Sequence, residues 1–415
     1  MPRLPASLEV LRQRNYRLLL SGQMVSFLGD GMVSVALAFA VLEIGGSASA
    51  VGLVLASRAV PLVAGLLVGG VIADRTSRRA VMVAADLVRL ASQGTIAALL
   101  IAGVADVWML AALSAVTGAS TGFFVPAGTG LLPAIVAPTD LQSANGLRGV
   151  GMASGAIVGP IVAGVLVASA GAGWALAADA ATFAVSAAFL VRLRVPARDA
   201  AVAASFLDDM RAGWVTFRSR HWLWTFVLWA TFANVLLASW TVLGPVIADR
   251  DLGGAQAWGA VLGAMGAGGL VGGLAAIRLR PARPLLLAAC AYSVDVVAIG
   301  LLAAGAPTWL LGVGAFALGA GGMLGNTVFE SVLQRHIPDK ALSRVSAYDW
   351  FGSLALQPVG LALWGPVAAV GGIGTALWIV VALQIAGMFA VLAIPDIRHL
   401  PADPEELDAV PAPAA

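Results

Sequence analysis

The sequence predicts an all-α membrane protein with twelve transmembrane helices in two pseudo-symmetric six-helix bundles. Three observations support this fold class: an apolar composition, twelve apolar runs of spanning length, and an internal repeat. Of the 415 residues, 60% are hydrophobic and 11% are charged. Such a chain lacks the polar surface that a soluble fold of this size would need. A chain of this composition belongs in a bilayer.

The apolar runs are each about 20 residues long, which is the length of helix that crosses roughly 30 Å of hydrocarbon. They centre near residues 30, 61, 91, 120, 157, 183, 236, 266, 293, 321, 356 and 384. Only an α-helix satisfies its own backbone within such a run. Arginines crowd the N-terminal segment and the loops after even-numbered spans, whereas the opposite loops carry Arg250 alone. Since short basic loops stay cytoplasmic, we expect both termini to be cytoplasmic.

The repeat has an offset of about 200 residues. Gly69-Gly70 recurs as Gly272-Gly273, and Pro138-Thr139-Asp140 recurs as Pro338-Asp339-Lys340. We therefore expect an N-terminal bundle over residues 1–194, a cytoplasmic linker over 195–222 and a C-terminal bundle over 223–399. The tail over 400–415 is rich in Pro, Ala and acid, and is predicted to be disordered. Parallel repeats of this kind are typical of transporters whose halves rock about a central site.

Several function classes are excluded by composition. The basic residues form no stripe that could follow nucleic acid, and Cys290 is the only cysteine, so no disulfide is expected. The three histidines lie far apart, which predicts no metal site and no cofactor. The stretch Gly118 to Gly122 fits a G-x-S-x-G pattern but has neither the strand nor the histidine that a hydrolase needs. The partners that remain are the lipid bilayer and a small molecule.

The turn between spans 2 and 3, GGVIADRTSRRA, concentrates charge in a chain that has little. Its residues Gly70, Asp74, Arg75, Arg78 and Arg79 fit a conformational latch that pairs with helix ends of the other half and releases in another state. Positive-inside topology alone would explain the arginines but not Asp74.

This turn is similar to the signature of the major facilitator superfamily. Span 5 carries GAIVGPIVAG, and its Gly155, Gly159, Pro160 and Gly164 resemble the motif of that superfamily's drug/proton antiporters, with Ala163 in place of one glycine. FLGDGM (27–32) and the segments 122–147 and 175–187 resemble the branch that includes macrolide efflux proteins and the enterobactin exporter. The resemblance implies the major facilitator fold and proton-driven export. Small-residue packing is the other interpretation of span 5.

Charges within the spans are the best functional candidates, because a charge in hydrocarbon is costly unless it faces water or a partner. Asp30 lies 13 residues beyond Arg17, or about 20 Å into the membrane. Arg58 reaches a comparable depth on span 2. The two residues could form a proton-coupling site or a static ion pair. Gln23 and Phe27 share the helix face of Asp30.

The other buried charges are interpreted more conservatively. Asp86 and Arg89 have the spacing of an intrahelical pair, and Asp179 and Asp295 are also predicted to be structural. Charges near the predicted cytoplasmic ends of spans 10 and 11 could be partners of the latch or simple interfacial groups: Glu330, Arg335, Arg344 and Asp349.

Polar and aromatic residues of four spans are candidates for contact with a large, partly apolar substrate. Besides Gln23 and Phe27, they are Phe123 and Phe124 of span 4, Trp229, Asn234 and Trp240 of span 7, and Asn326 and Phe329 of span 10. Each aromatic ring could instead face lipid or pack inside the bundle.

The function predicted from these features is proton-coupled export of a lipophilic drug-like molecule or secondary metabolite. The protein is expected to be a monomer in a bacterial cytoplasmic membrane. A proton-coupled importer of the same fold is one alternative, and a membrane sensor or scaffold without transport is another.

Overall fold

A computed structural model describes residues 6–195 and 214–402, and all regular structure within these ranges is helical. The first range contains α1 (Arg14–Glu43), α2 (Ala48–Arg75), α3 (Arg78–Ile101), α4 (Val107–Ile135), α5 (Leu141–Ala170) and α6 (Ala172–Val191), with short 3₁₀ turns at Ala6–Arg12 and Pro138–Asp140. The second contains α7 (His221–Ile247), a π-helical turn (Ala248–Leu252), α8 (Gly254–Arg278), α9 (Pro284–Tyr292), α10 (Asp295–Ala303), α11 (Thr308–His336), α12 (Asp339–Ala355), α13 (Gln357–Gly371), α14 (Ile373–Ala393) and α15 (Pro395–His399).

Twelve helical stretches in the described ranges are long and apolar enough to cross a membrane, which confirms the predicted number of spans. Spans 1 to 8 are α1 to α8. Span 9 is divided into α9 and α10, span 10 is α11, span 11 comprises α12 and α13, and span 12 is α14.

The described residues form two compact units. The first contains residues 6–195 together with 242–263 and 361–366, and the second contains 214–241, 264–360 and 367–402. Two stretches of the predicted C-terminal bundle thus cluster with the first unit, and the boundaries at 194 and 223 stay a prediction. Residues 196–213 of the predicted linker and 403–415 of the predicted disordered tail lie outside the described residues.

In the first unit, α1 packs against α5 and α6, α3 packs against α4 and α6, and α2 runs along α4. Small residues make the α2–α4 approach possible, because a Cβ added at Gly122 would lie 2.7 Å from the Cα of Gly65. The Tyr16 hydroxyl donates a hydrogen bond to the Ala144 carbonyl at 2.9 Å, which joins α1 to α5.

In the second unit, α9 and α10 pack against α11, and α10 also packs against α14. Span 11 is interrupted at Leu356, two residues before Pro358, whose ring removes a backbone donor. The carbonyls of Gly352 and Ser353 lie just before this interruption. They accept hydrogen bonds from the Thr231 hydroxyl at 2.7 Å and the Asn234 amide at 3.1 Å, so α7 supports the interrupted helix.

The internal repeat is visible in the backbone. Gly171 ends α5 with φ +94° and ψ 161°, and Gly372 ends α13 with φ +82° and ψ 153°. Only glycine adopts this region of φ and ψ at low cost. The two residues are separated by nearly the offset of the sequence repeat, and each is followed directly by the last spanning helix of its half.

Candidate functional site

Asp30 lies on α1 between two glycines at which neighbouring helices approach closely. A Cβ added at Gly31 would overlap the Gly155 carbonyl of α5, and one added at Gly29 would overlap a carboxylate oxygen of Asp179 on α6. Asp30 itself is half-buried. The backbone of α1 at Asp30 is therefore fixed between α5 and α6 by contacts that any larger residue at 29 or 31 would disrupt.

Arg58 is half-buried on α2. Among the ion pairs of the described residues, none joins Arg58 to Asp30 within 4.0 Å. A physical reason is the position of α2, which packs along α4, where Gly118 admits the Arg58 carbonyl. The structure thus does not form the direct pair that their similar depths made feasible.

Asp86 and Arg89 do form the predicted intrahelical ion pair. Both side chains are buried, with 0% and 1% exposure. The guanidinium carbon of Arg89 lies 4.1 Å from the centroid of the Phe124 ring and 4.4 Å from that of Phe183. Cation–π contacts of this kind strengthen when they are desolvated. Two aromatic rings thus contact the guanidinium of the buried pair, which agrees with a structural role.

Asp179 on α6 is fully buried, and the Gln93 amide on α3 donates to its Oδ2 at 2.9 Å. Its Oδ1 has no hydrogen-bond partner among the described residues, and this oxygen is the atom that faces Gly29. A buried carboxyl oxygen without a partner is costly when charged. Asp179 therefore provides a second acid next to the helix that carries Asp30.

The glycines of span 5 pack two helices. A Cβ at Gly159 would lie 2.7 Å from the Cα of Gly31 on α1. Span 5 also packs against α8 at Gly259. A Cβ added at Gly259 would overlap the Pro160 carbonyl and would lie 3.1 Å from the Cα of Gly164. The glycines act here as packing residues, and a role of the motif in transport stays a prediction.

Two arginines of the predicted latch bind carbonyls within the first unit. Arg78 donates to the Gly130 carbonyl of α4, and Arg79 donates to the Val191 carbonyl of α6 at 2.5 Å. Val191 is the last residue of α6, where carbonyls lack helical partners and attract cations. Both contacts link α3 to ends of its neighbours.

The other latch residues are less defined. Arg75 is exposed, whereas Gly70 and the side chain of Asp74 lie outside the part of the chain that the structure describes. The latch stays a prediction. Glu330 and Asp349, considered as its partners, line a cavity in the second unit.

This cavity has a volume of about 300 Å³ and lies between α7, α9, α10, α11 and α12. Four of the predicted substrate residues line it, namely Trp229, Asn234, Asn326 and Phe329. Trp240 is buried and does not line it. The four are a minority of the lining residues, and their contact with substrate stays a prediction.

Acidic residues line the same cavity, and sequence analysis did not assign them to it. They are Asp295, Glu330 and Asp349. Asp295 accepts a hydrogen bond from the Gln384 amide of α14. Helix length could have indicated this for Asp349, because α12 begins at Asp339 and ten residues of helix place Asp349 about 15 Å beyond that point.

The remaining substrate candidates belong to the first unit. Gln23 and Phe124 are buried, and Phe124 covers the Arg89 guanidinium. Phe27 and Phe123 are half-buried, and the carbonyl of Phe27 lies against Gly155. The structure therefore distributes the nine candidates between two units.

Each unit contains a hydrogen bond between a buried glutamine amide and a buried aspartate. Gln93 on span 3 bonds Asp179 on span 6, and Asp295 on span 9 bonds Gln384 on span 12. The offset is 202 residues from Gln93 to Asp295 and 205 from Asp179 to Gln384. The same pair of helices is joined in each half, with the acid and the amide exchanged.

Comparison with known proteins fits this architecture. The family model of the Major Facilitator Superfamily matches residues 19–356, and the chain belongs to this superfamily. It is a multi-pass membrane transporter and not an enzyme.

Among curated proteins, the chain is 26% identical over 407 residues to the enterobactin exporter EntS of Escherichia coli (strain K12), which covers 95% of each chain. Among solved structures, it is similar to the nucleoside transporter NupG, with a TM-score of 0.72, 13% identity and coverage of 91% of this chain and 98% of that one. A bacterial homolog of the human lysosomal transporter Spinster gives a TM-score of 0.66, 16% identity and coverage of 98% and 100%. These structures confirm the fold.

Proposed function

We propose that the protein exports a lipophilic drug-like molecule or secondary metabolite from the bacterial cytoplasm, and that proton entry drives the export. The direction of transport is supported by similarity to an exporter over 95% of both chains. The antiporter-like glycines and Pro160 of span 5 support it too. The likeness to a nucleoside transporter is evidence of fold alone.

The observation that carries proton coupling is the position of Asp30. It is a half-buried carboxyl on a helix that Gly29 and Gly31 hold against α5 and α6, and the free oxygen of Asp179 lies beside Gly29. An acid at such a position can gain and lose a proton as water reaches it from alternate sides. A movement of α1 against α5 or α6 would change the surroundings of both acids together.

The test uses inverted membrane vesicles with an acidic interior, in which antiport draws substrate inward as protons leave. Erythromycin, enterobactin and ethidium are offered in turn, after a drug-susceptibility panel has ranked further compounds. An exporter accumulates its substrate in these vesicles only when the pH difference is imposed. An importer would instead accumulate it in right-side-out vesicles with a basic interior, and a sensor or scaffold would accumulate nothing in either.

The Asp30→Asn variant tests the coupling residue, because it keeps the side-chain volume and fixes the neutral state. We expect gradient-driven accumulation to fall to the level seen without a gradient, while exchange of substrate across the membrane at equal concentrations continues. Asp106→Asn is the matched control, since Asp106 is exposed and its side chain makes no cap hydrogen bond to α4. Accumulation by Asp30→Asn equal to that of the wild type would place the proton site elsewhere.

A further inference from the structure

The cavity of the second unit combines acids with aromatic rings. Asp295, Glu330 and Asp349 supply three carboxyl groups, and none of the described residues that line the cavity is basic. Charges of one sign that are gathered in one cavity are unfavourable unless protons or an opposite charge compensate them. The cavity thus favours a positively charged occupant.

Asp349 adds a buried carboxylate with few hydrogen-bond partners to the wall of this cavity. Its side chain is 8% exposed. Its hydrogen-bond partner among the described residues is the Ser353 hydroxyl of its own helix, 3.5 Å from Oδ1, which is at the limit of such a bond. No other hydrogen bond to this carboxylate is found among those residues. A buried carboxylate with so few partners in a cavity wall is a ready acceptor for a cation.

The aromatic rings match the same occupant. Phe226 and Phe329 stack with centroids 4.7 Å apart, and Trp229 meets Phe226 edge to face at 5.3 Å. Tyr292 and Trp350 complete the aromatic wall. The faces of aromatic rings attract cations, and their area binds apolar groups.

We propose that this cavity binds an organic cation with an aromatic or apolar body, whose positive charge lies between Glu330 and Asp349. The inference deepens the proposed export function and rests on it for the role of the cavity in transport. Phe226, Phe329 and the indole rings hold the apolar body, and Asn326 orients Glu330 through a hydrogen bond of 3.4 Å.

The experiment measures binding of ethidium, an aromatic cation, to the purified full-length protein in non-ionic detergent by its fluorescence, with protein-free micelles subtracted. Benzyltrimethylammonium and benzenesulfonate then compete as small phenyl compounds of opposite charge. We expect the cation to displace ethidium and the anion to leave it bound. Asp349→Asn and Glu330→Gln should each raise the Kd of ethidium about tenfold, and the double variant should raise it further. Asp251→Asn, which removes an exposed carboxylate of the first unit, should leave the Kd unchanged.

Displacement by both competitors alike, or an unchanged Kd in both single variants, would overturn the inference. The second result would mean that the acids only hold protons. Binding does not depend on a gradient, so the two proposals can fail separately. Selective cation binding without accumulation in vesicles would contradict export, whereas accumulation of an uncharged substrate without cation binding would contradict the cavity's specificity.

Discussion

The buried pair of Asp86 and Arg89 allows a prediction whose size follows from the structure. Arg89→Met keeps an unbranched apolar stem and removes the guanidinium with its charge. Asp86 then remains at 0% exposure without its cation, and breaking a buried pair in this way costs about 3–5 kcal/mol. The loss of two ring contacts at 4.1 and 4.4 Å adds about 1–2 kcal/mol. We expect a large fall in the melting temperature of the protein in detergent.

The double variant Asp86→Asn/Arg89→Met separates the charge from the packing. Because no buried charge is left, the remaining cost should fall to roughly 1–3 kcal/mol for unmatched polar atoms. The double variant should therefore melt above Arg89→Met alone. A matched control is Arg12→Met, since Arg12 also has an acid three residues away, Glu9 at 3.9 Å, but both side chains are more than half exposed. Exposed pairs contribute about 0–1 kcal/mol.

Two results would refute this reasoning. Arg89→Met could melt as high as Arg12→Met, or the double variant could melt no higher than Arg89→Met. Transport gives a further distinction: a structural pair predicts that the stable double variant still accumulates substrate in vesicles. A well-folded double variant without transport would assign Asp86 or Arg89 to the mechanism.

Three further experiments test other parts of the fold. Pro160→Ala should straighten α5 and either slow turnover in vesicles or uncouple it from the pH difference, and unchanged turnover and coupling would leave the span 5 motif as packing only. Asp74→Asn should insert normally but transport roughly tenfold more slowly. Ile277, which is exposed, is the counterpart of Asp74 in the repeat, and its replacement by Leu should have no effect. Equal transport rates of Asp74→Asn and the wild type would contradict the latch. Gln93→Asp should lower the melting temperature, because it places a second buried carboxyl beside Asp179. Adding Asp179→Gln should restore the melting temperature, and thermal unfolding measures both changes.

The features that the sequence predicts well are local or depend on length. Spans follow from the number of consecutive apolar residues, and the contact of Asp86 with Arg89 follows from a spacing of three on one helix. The turns at Gly171 and Gly372 are not predicted individually, although a repeat of about 200 residues implies equivalent turns in the two halves. Each of these features depends on the sequence of a single helix or on its equivalent in the other half of the repeat.

Other features depend on which helices become neighbours, and spacing along the chain does not contain that information. Gln93 and Asp179 are 86 residues apart, and neither lies in a pattern that marks the other as its partner. Counting residues along the helices predicts similar membrane depths for Asp30 and Arg58. The distance between their helices depends instead on the glycines that bring α1 to α5 and α2 to α4. The sequence predicts Glu330 and Asp349 near the cytoplasmic ends of spans 10 and 11, but Glu330 lies six residues before the end of α11 and Asp349 ten residues beyond the start of α12.

The exchanged acid and amide show how two halves of one fold can keep the same packing and acquire different chemistry. A hydrogen bond from a glutamine amide to a carboxyl joins spans 3 and 6 in one half and spans 9 and 12 in the other. The bond itself is indifferent to which helix contributes the acid, so exchange preserves the tie between helices. It does change where a proton or a charge can be held: Asp179 faces α1 beside Asp30, whereas Asp295 opens into the aromatic cavity. The repeat therefore constrains the partners of each buried carboxyl but leaves its function free to differ between the halves.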